Sequence, residues 1–200
     1  MVPVGVRLFS KFARMGASSR LRMLQYLPSL DRLGIVVDQH PLLSDAYVRE
    51  LHKGRLYVSR MLAARCYVKR ARELWRTDSG GLDWVEGELF PFLPHLFEKA
   101  LNRGRRSFVA EYDDALFHRY GLSPNVAVRS VLGNKIDAVM RAAACVIVGN
   151  RYLAEHAERV GAVRVEVIPT VVDARRYKPI VHRERRRLVI GWIGSPVTQH

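Results

Sequence analysis

The clearest indication of the fold is the stretch CVIVGNRYLAEHAERVGAVRVEVI at residues 145–168. It begins with a short apolar run that ends at Gly149, continues with an amphipathic helical pattern that stops at Gly161, and returns to an apolar run. Short apolar runs on either side of a helix predict a strand–helix–strand unit. Such a unit joins parallel strands, and strands this apolar are typical of a sheet buried on both faces.

The same alternation extends toward the N-terminus. Apolar runs predict four earlier strands, at residues 4–9, 35–40, 82–88 and 106–112. Helical periodicity predicts helices over residues 20–33, 44–76, 91–101 and 125–143. We expect a kink or a break at Pro28 in the first of these helices, a C-terminal cap at Gly34 and an interruption of the second helix at Gly54. The alternation predicts an α/β protein with a Rossmann-like parallel sheet and helices on both faces.

Composition changes after Pro169, which indicates a domain boundary. We predict one domain over residues 1–168 and a polar, basic linker over 169–187. Residues 188–200 predict a strand and a glycine turn at Gly194 and Ser195, the start of a truncated second α/β domain. A strand needs a sheet to satisfy its backbone groups, so we expect the sequence to be a fragment of a longer protein.

The charge balance is strongly basic. The chain has 33 Lys+Arg against 19 Asp+Glu and a formal net charge of +14, which attracts nucleic acid, anionic lipid or phosphorylated substrates. Its 2 cysteines are far apart, which disfavours a metal site or a disulfide framework and favours a reducing compartment. No apolar run approaches the roughly 20 residues that span a bilayer, and the N-terminus lacks a signal-peptide pattern. We expect a cytoplasmic protein.

A glycine turn between the first strand and the first helix is a candidate anion site. Gly16 precedes Ser18 and Ser19, either of which could cap the helix, and helix N-termini bind anions. Arg20 and Arg22 carry the wrong charge for this end of a helix, at a cost of about 0.3–1 kcal/mol each. An anionic ligand would reverse that effect. The alternative is that the arginines face solvent or pair with an acid elsewhere.

Carboxylates follow two of the predicted strands. Glu86 and Glu88 end the strand at 82–88, and Asp113 and Asp114 follow the strand at 106–112. Open α/β sheets bind ligands at the carboxyl ends of their strands. Adjacent residues of an extended chain point in opposite directions, so Asp113 and Asp114 do not form a metal clamp. The structural alternatives are a helix N-cap or loop hydrogen bonds for the two aspartates, and ordinary exposed loop acids for the two glutamates.

The basic helical stretch 44–76 has two interpretations. Its apolar side could lie on an anionic membrane, which would attach the protein to the inner face of the plasma membrane. Alternatively, the stretch packs on the core and exposes a solvated basic face.

Several ordered segments together resemble the N-terminal part of a glycosyltransferase of the family 4 type, which has the two-domain GT-B architecture. The segments are ASSRLRMLQYLPSLDRLGI, EGELFPFLP, EYDDALF, CVIVGNRYLAEHA, VIPTVVDARRYKP and IGWIGSPVT. The resemblance implies sugar transfer from a nucleotide sugar such as UDP- or GDP-sugar, with retention and with no metal or other cofactor required. It implies a glycan, lipid-linked or small-molecule acceptor, as in cell-surface polysaccharide biosynthesis.

The resemblance also implies roles for individual residues. The donor-phosphate residues would be Gly16, Ser18, Ser19, Arg20, Gly194 and Ser195. The acceptor and cleft residues would be Glu86, Glu88, Asp113, Asp114, Asn150 and Tyr152. The catalytic residues remain unassigned, and Gly87 stands where relatives often carry a basic residue. Because the acidic donor-binding motif would lie beyond His200, we expect the fragment alone to be inactive.

Two other functions compete with sugar transfer. A basic α/β nucleic-acid-binding module would explain the net charge, but aromatic residues do not interleave with the basic runs, so no nucleic-acid partner is expected. A nicotinamide enzyme is disfavoured because the first glycine turn lacks GxGxxG and Asp38 is the only candidate for the downstream acid.

Overall fold

A computed structural model describes residues 4–75, 81–98, 107–179 and 190–191. The strands are β1 (Val4–Phe9), β2 (Ile35–Gln39), β3 (Leu82–Glu86), β4 (Ser107–Tyr112), β5 (Cys145–Val148) and β6 (Val165–Val167). The helices are α1 (Ala17–Arg22), α2 (Leu27–Arg32), α3 (Asp45–His52), α4 (Leu56–Trp75), α5 (Leu116–Gly121), α6 (Val126–Leu132), α7 (Lys135–Ala142) and α8 (Arg151–Arg159). No helix within these residues is long and apolar enough to cross a membrane.

The strands form one six-stranded sheet in the order β2-β1-β3-β4-β5-β6, and every pair is parallel. The predicted Rossmann-like α/β fold is therefore confirmed. After β1 the chain moves outward to β2 and then crosses back to β3 on the other side of β1. This reversal leaves a crevice between the carboxyl ends of β1 and β3, which is where open α/β sheets bind ligands.

The two faces of the sheet are covered unequally. One face presents Phe9, Val85, Ala110 and Val148, which are fully buried in the main core together with residues of α5, α7 and α8. The other face carries Trp84 and lies beneath α1 and α2, where an apolar cavity of about 480 Å³ remains. Helices thus lie on both faces, as the alternation of segments predicts.

The first predicted helix is divided earlier than Pro28. α1 ends at Arg22, a 3-10 turn spans Leu24–Tyr26, and α2 begins at Leu27. Pro28 lies in the first turn of α2, where its missing N–H breaks no helical hydrogen bond. The helix therefore restarts around the proline instead of kinking at it.

Other helix boundaries follow the glycines. Gly34 and Gly54 have φ values of 75° and 71°, and they end α2 and separate α3 from α4 as predicted. The single helix predicted over 125–143 is wrong, because the chain divides at Gly133 into α6 and α7. α5 was not predicted, and residues 95–98 form a 3-10 turn within the helix predicted at 91–101.

Residues 169–179, the described part of the predicted linker, contain no helix or strand and are exposed. The predicted strand near residue 188 lies outside the described residues except for 190–191. Gly194 and Ser195 also lie outside the described residues.

Candidate functional site

Polar side chains gather at the carboxyl edge of the sheet, around the crevice between β1 and β3. The loop after β1 meets the ends of β3 and β4 here. The buried side chain of Arg70 in α4 holds this edge in place. Its Nη2 donates to the carbonyl of Ser10 at 3.0 Å and to the carbonyl of His40 at 2.7 Å. The loops that follow β1 and β2 are therefore tied to one guanidinium.

Glu86 is the carboxylate at the centre of this edge. Its Oε2 accepts hydrogen bonds from the Lys11 backbone N–H at 2.7 Å and from the Ser19 hydroxyl at 2.6 Å. The Ser19 Oγ in turn accepts from the Phe12 N–H at 3.1 Å. Burial raises the pKa of Glu86, and these hydrogen bonds lower it in part. Glu86 therefore holds the loop after β1 in place.

The two aspartates after β4 have different environments. The Ser18 hydroxyl donates a short hydrogen bond to the half-buried Asp113 carboxylate, while Asp114 is exposed. Asp113 therefore makes a loop hydrogen bond, which is one of the structural alternatives given above. Asp114 is therefore the more accessible of the two carboxylates.

The prediction that Ser18 or Ser19 caps the first helix is wrong. Helix α1 begins at Ala17 with Gly16 as its N-cap residue, and no side chain supplies a capping hydrogen bond. Both serine hydroxyls are engaged by carboxylates instead. A Cβ at Gly16 would lie 2.3 Å from the Cβ of Phe12, so close packing of the loop on Phe12 explains the glycine.

The two arginines of the opening helix have separate roles. Arg20 remains at the rim, where its Nη1 donates to the Arg14 carbonyl at 3.1 Å. Arg22 is buried and pairs with an acid far away in sequence: its Nε donates to Glu111 Oε1 at 2.8 Å. Its Nη1 also donates to the Ile168 carbonyl at 2.6 Å, just beyond β6. Of the two alternatives, pairing with an acid is the correct one for Arg22.

Glu111 is a second buried carboxylate, on the face of the sheet that carries Trp84. Burial raises the pKa of Glu111 to about 7, against the opposing effects of Arg22 and of the Trp84 indole. The indole N–H donates to Glu111 Oε2 at 2.7 Å. Sequence analysis considered the acids that end or follow a strand, and it missed Glu111, which lies within β4 one residue before the end of the strand.

Glu88 lies inside the protein and not on the cleft wall. Its Oε2 accepts from the Lys135 ammonium at 2.6 Å, and the Tyr120 hydroxyl lies 2.9 Å from both of its carboxylate oxygens. Lys135 also contacts Glu98 Oε1 at 3.2 Å and donates to the Phe90 carbonyl at 2.5 Å. This buried network fixes the loop that follows β3.

Asn150 and Tyr152 stand at the start of α8. The Asn150 side chain is the N-cap and accepts from the Leu153 N–H at 3.0 Å. Tyr152 is 55% exposed, and its hydroxyl lies 2.5 Å from His118 Nε2. Tyr152 is therefore accessible at the edge, whereas the Asn150 carbonyl oxygen is already used within the helix.

Lys11 and Arg119 are cations of this edge that sequence analysis missed. Burial lowers the pKa of the Lys11 ammonium and Arg119 lowers it further, while Glu86, Glu88 and Asp114 raise it. Arg119 Nη1 lies 3.8 Å from Glu88 Oε1. The signal in the sequence that could have identified Lys11 was its position two residues after the end of β1.

The edge therefore combines hydroxyls, carboxylates and cations. In the part of the chain that the structure describes, no group of three His, Cys, Asp or Glu side chains is arranged to hold a metal ion. The fold and this edge define the chain as an α/β protein with a Rossmann-like parallel sheet and a polar crevice at its topological switch point. No protein-family model matches the sequence, and no curated protein is significantly similar to it.

Proposed function

We propose that the chain is the N-terminal, acceptor-side domain of a GT-B glycosyltransferase that moves a sugar from a nucleotide-diphosphate donor to an acceptor hydroxyl. The observation that carries this proposal is the polar crevice at the switch point, where Glu86 ties down the loop after β1. The parallel sheet and the order of its segments are compatible with such a domain.

The chemistry of the crevice suits a sugar. Carboxylates accept hydrogen bonds from sugar hydroxyls, and the exposed Asp114 is free of the Ser18 contact that occupies Asp113. Tyr152 adds an accessible aromatic hydroxyl at the same edge. A hydroxyl-bearing acceptor would bind through these groups.

Lys11 supplies a positive charge beside the same carboxylates. When a glycosidic bond to a nucleotide diphosphate breaks, negative charge develops on the departing phosphate, and a fixed cation stabilises it. We therefore assign to the Lys11 ammonium the role of binding the donor phosphate. Glu86 acts as a positioning residue, because its oxygen is occupied by the loop.

The test uses the full-length protein and measures its melting temperature with UDP-, GDP- and dTDP-sugars. A bound donor at a hundred times its Kd stabilises a protein by about 2.7 kcal/mol, which raises the melting temperature by several degrees. Lys11→Met should abolish the increase, and Lys53→Met, an exposed lysine of the α3–α4 turn, should leave it intact. The proposal fails if none of the donors raises the melting temperature.

The net charge of +14 supports a second candidate, a basic module that binds nucleic acid. Such a module would bind DNA or RNA at submicromolar concentration with a steep salt dependence. Weak binding that is equal for all sequences would reflect only the charge of the protein.

A further inference from the structure

Helix α4 has two faces of different character. Its inner face packs on the protein: Arg70 is fully buried, and Tyr67 and Leu74 pack against the main core. Its outer face carries large apolar side chains that no described residue covers. Tyr57 is 75% exposed, and Trp75 is 86% exposed.

The large apolar side chains that the structure describes as exposed on α4 form one stripe, which we call the α4 stripe: Tyr57, Met61, Val68 and Trp75. Their spacings of four, seven and seven residues correspond to one and two helical turns, so they share one side of the helix. At 1.5 Å per residue the stripe is about 27 Å long. Aromatic residues stand at both of its ends.

Basic side chains flank the α4 stripe. Arg60, Arg65, Lys69 and Arg72 are exposed on α4, and the only acid of the helix, Glu73, is half-buried on its inner side. Lys69 lies 3.3 Å from Glu73. Within the described part of the chain, Arg60, Arg65 and Arg72 form no ion pair with a carboxylate. The outer face is thus cationic as well as apolar.

From this surface we propose that α4 docks lengthwise on an anionic lipid bilayer, with the α4 stripe inserted at the level of the headgroups. Aromatic and aliphatic residues on one side of a helix, bordered by arginine and lysine, bind at this interface. The arginines contact lipid phosphates, while Tyr57 and Trp75 anchor the two ends of the helix. Charge complementarity selects the partner, because a purely apolar protein partner would not need four flanking cations.

The structure refines the broader prediction that residues 44–76 meet a membrane. By helical spacing in the sequence alone, Met61, Val68 and Trp75 can share one apolar side of the helix with Leu62 and Leu74. In the structure Leu62 and Leu74 belong to the inner half of α4 and are partly buried. The membrane contact is therefore confined to the α4 stripe and its basic flanks.

The experiment measures binding of the full chain to vesicles by flotation. The vesicles are phosphatidylcholine alone or phosphatidylcholine with about 30% phosphatidylglycerol, which gives them a roughly physiological surface charge. We expect binding only to the anionic vesicles. Each basic residue near the surface contributes about a fivefold change in partitioning, so Arg65→Gln with Arg72→Gln should weaken binding about 25-fold.

The matched control removes the same two charges elsewhere. Arg129 and Arg159 are exposed on α6 and α8, away from α4, and Arg129→Gln with Arg159→Gln should change binding less than about threefold. A second readout follows lipid contact directly. Bromine-labelled lipid should quench tryptophan emission in the wild-type protein, and Trp75→Phe should remove most of that quenching.

Three results would overturn the proposal. The first is equal binding to neutral and anionic vesicles, or equal losses in the two arginine variants. The second is a dimer in sedimentation equilibrium that Trp75→Ser dissociates, which would assign the α4 stripe to a second copy of the chain. The third is tight binding to a DNA duplex that depends on Arg65 and Arg72 while vesicle binding does not.

Discussion

Replacing Lys135 with methionine should be among the most destabilising single changes in this protein. The ammonium is fully buried and reaches Glu88 Oε2 at 2.6 Å, Glu98 Oε1 at 3.2 Å and the Phe90 carbonyl at 2.5 Å. Methionine keeps most of the volume but removes the buried cation that Glu88 and Glu98 share. Removing one partner of a buried ion pair costs about 3–5 kcal/mol. For a chain of this length that lowers the melting temperature by about 6–20 °C.

The effect should depend on pH. Burial raises the pKa of Glu98, and loss of the ammonium raises it further, so the folded variant holds protons that the unfolded chain releases. Stability of the variant relative to the wild type therefore falls as pH increases from about 4.5 upward. Urea unfolding followed by circular dichroism at pH 5 and pH 8 should show the larger loss at pH 8.

Lys53→Met is the matched control for this experiment. Lys53 is exposed and pairs with Glu50 at 2.9 Å on the surface, so its loss should cost less than about 1 kcal/mol. A double-mutant cycle of Lys135→Met with Glu88→Gln should give a coupling free energy above about 1 kcal/mol. The reasoning is refuted if Lys135→Met costs less than about 1 kcal/mol or costs the same at both pH values.

Three further changes probe the edge of the sheet. Burial raises the pKa of Glu111 from 4.5 to about 7, so the free energy of unfolding of the wild type should fall by about 3 kcal/mol as pH increases through that range. Glu111→Gln should flatten this pH dependence in urea titrations, and equal slopes for the two proteins would contradict the prediction. Gly16→Ala should cost about 1–3 kcal/mol by clashing with Phe12, whereas Gly5→Ala, which meets no atom within 4 Å, should be close to neutral in thermal melts. Arg70→Met should accelerate amide hydrogen exchange in the loops after β1 and β2 before it affects β4, and uniform acceleration would disprove the local role.

The strands could be predicted from the sequence because a strand that is buried on both faces consists mainly of apolar residues. The run CVIV at β5 is entirely apolar, and the structure places Val146 and Val148 in the core. Gly34 and Gly54 were equally predictable, since positive φ values at helix ends favour glycine. These signals are local, and each needs only a few neighbouring residues to be recognised.

The partners of the charged residues could not be predicted in this way. Arg22 and Glu111 are 89 positions apart, and Ser19 and Glu86 are 67 apart. Their contacts depend on the order of strands in the sheet, which periodicity does not specify. Glu88 illustrates the same limit: its position after a strand suggested a cleft residue, but Lys135 on a distant helix holds it in the interior.

The guanidinium of Arg22 also gives the sheet a mechanical reinforcement. β6 is an edge strand of only three residues, paired to β5 alone, so its own ladder offers little resistance to shear. Arg22 connects the carbonyl of Ile168, where the chain leaves β6, to Glu111 in the middle of the sheet. A force pulling on the chain beyond Thr170 would therefore load α1 and β4 before it peeled β6 away. The guanidinium of Arg22 therefore keeps tension off β6, the strand that is least able to resist it.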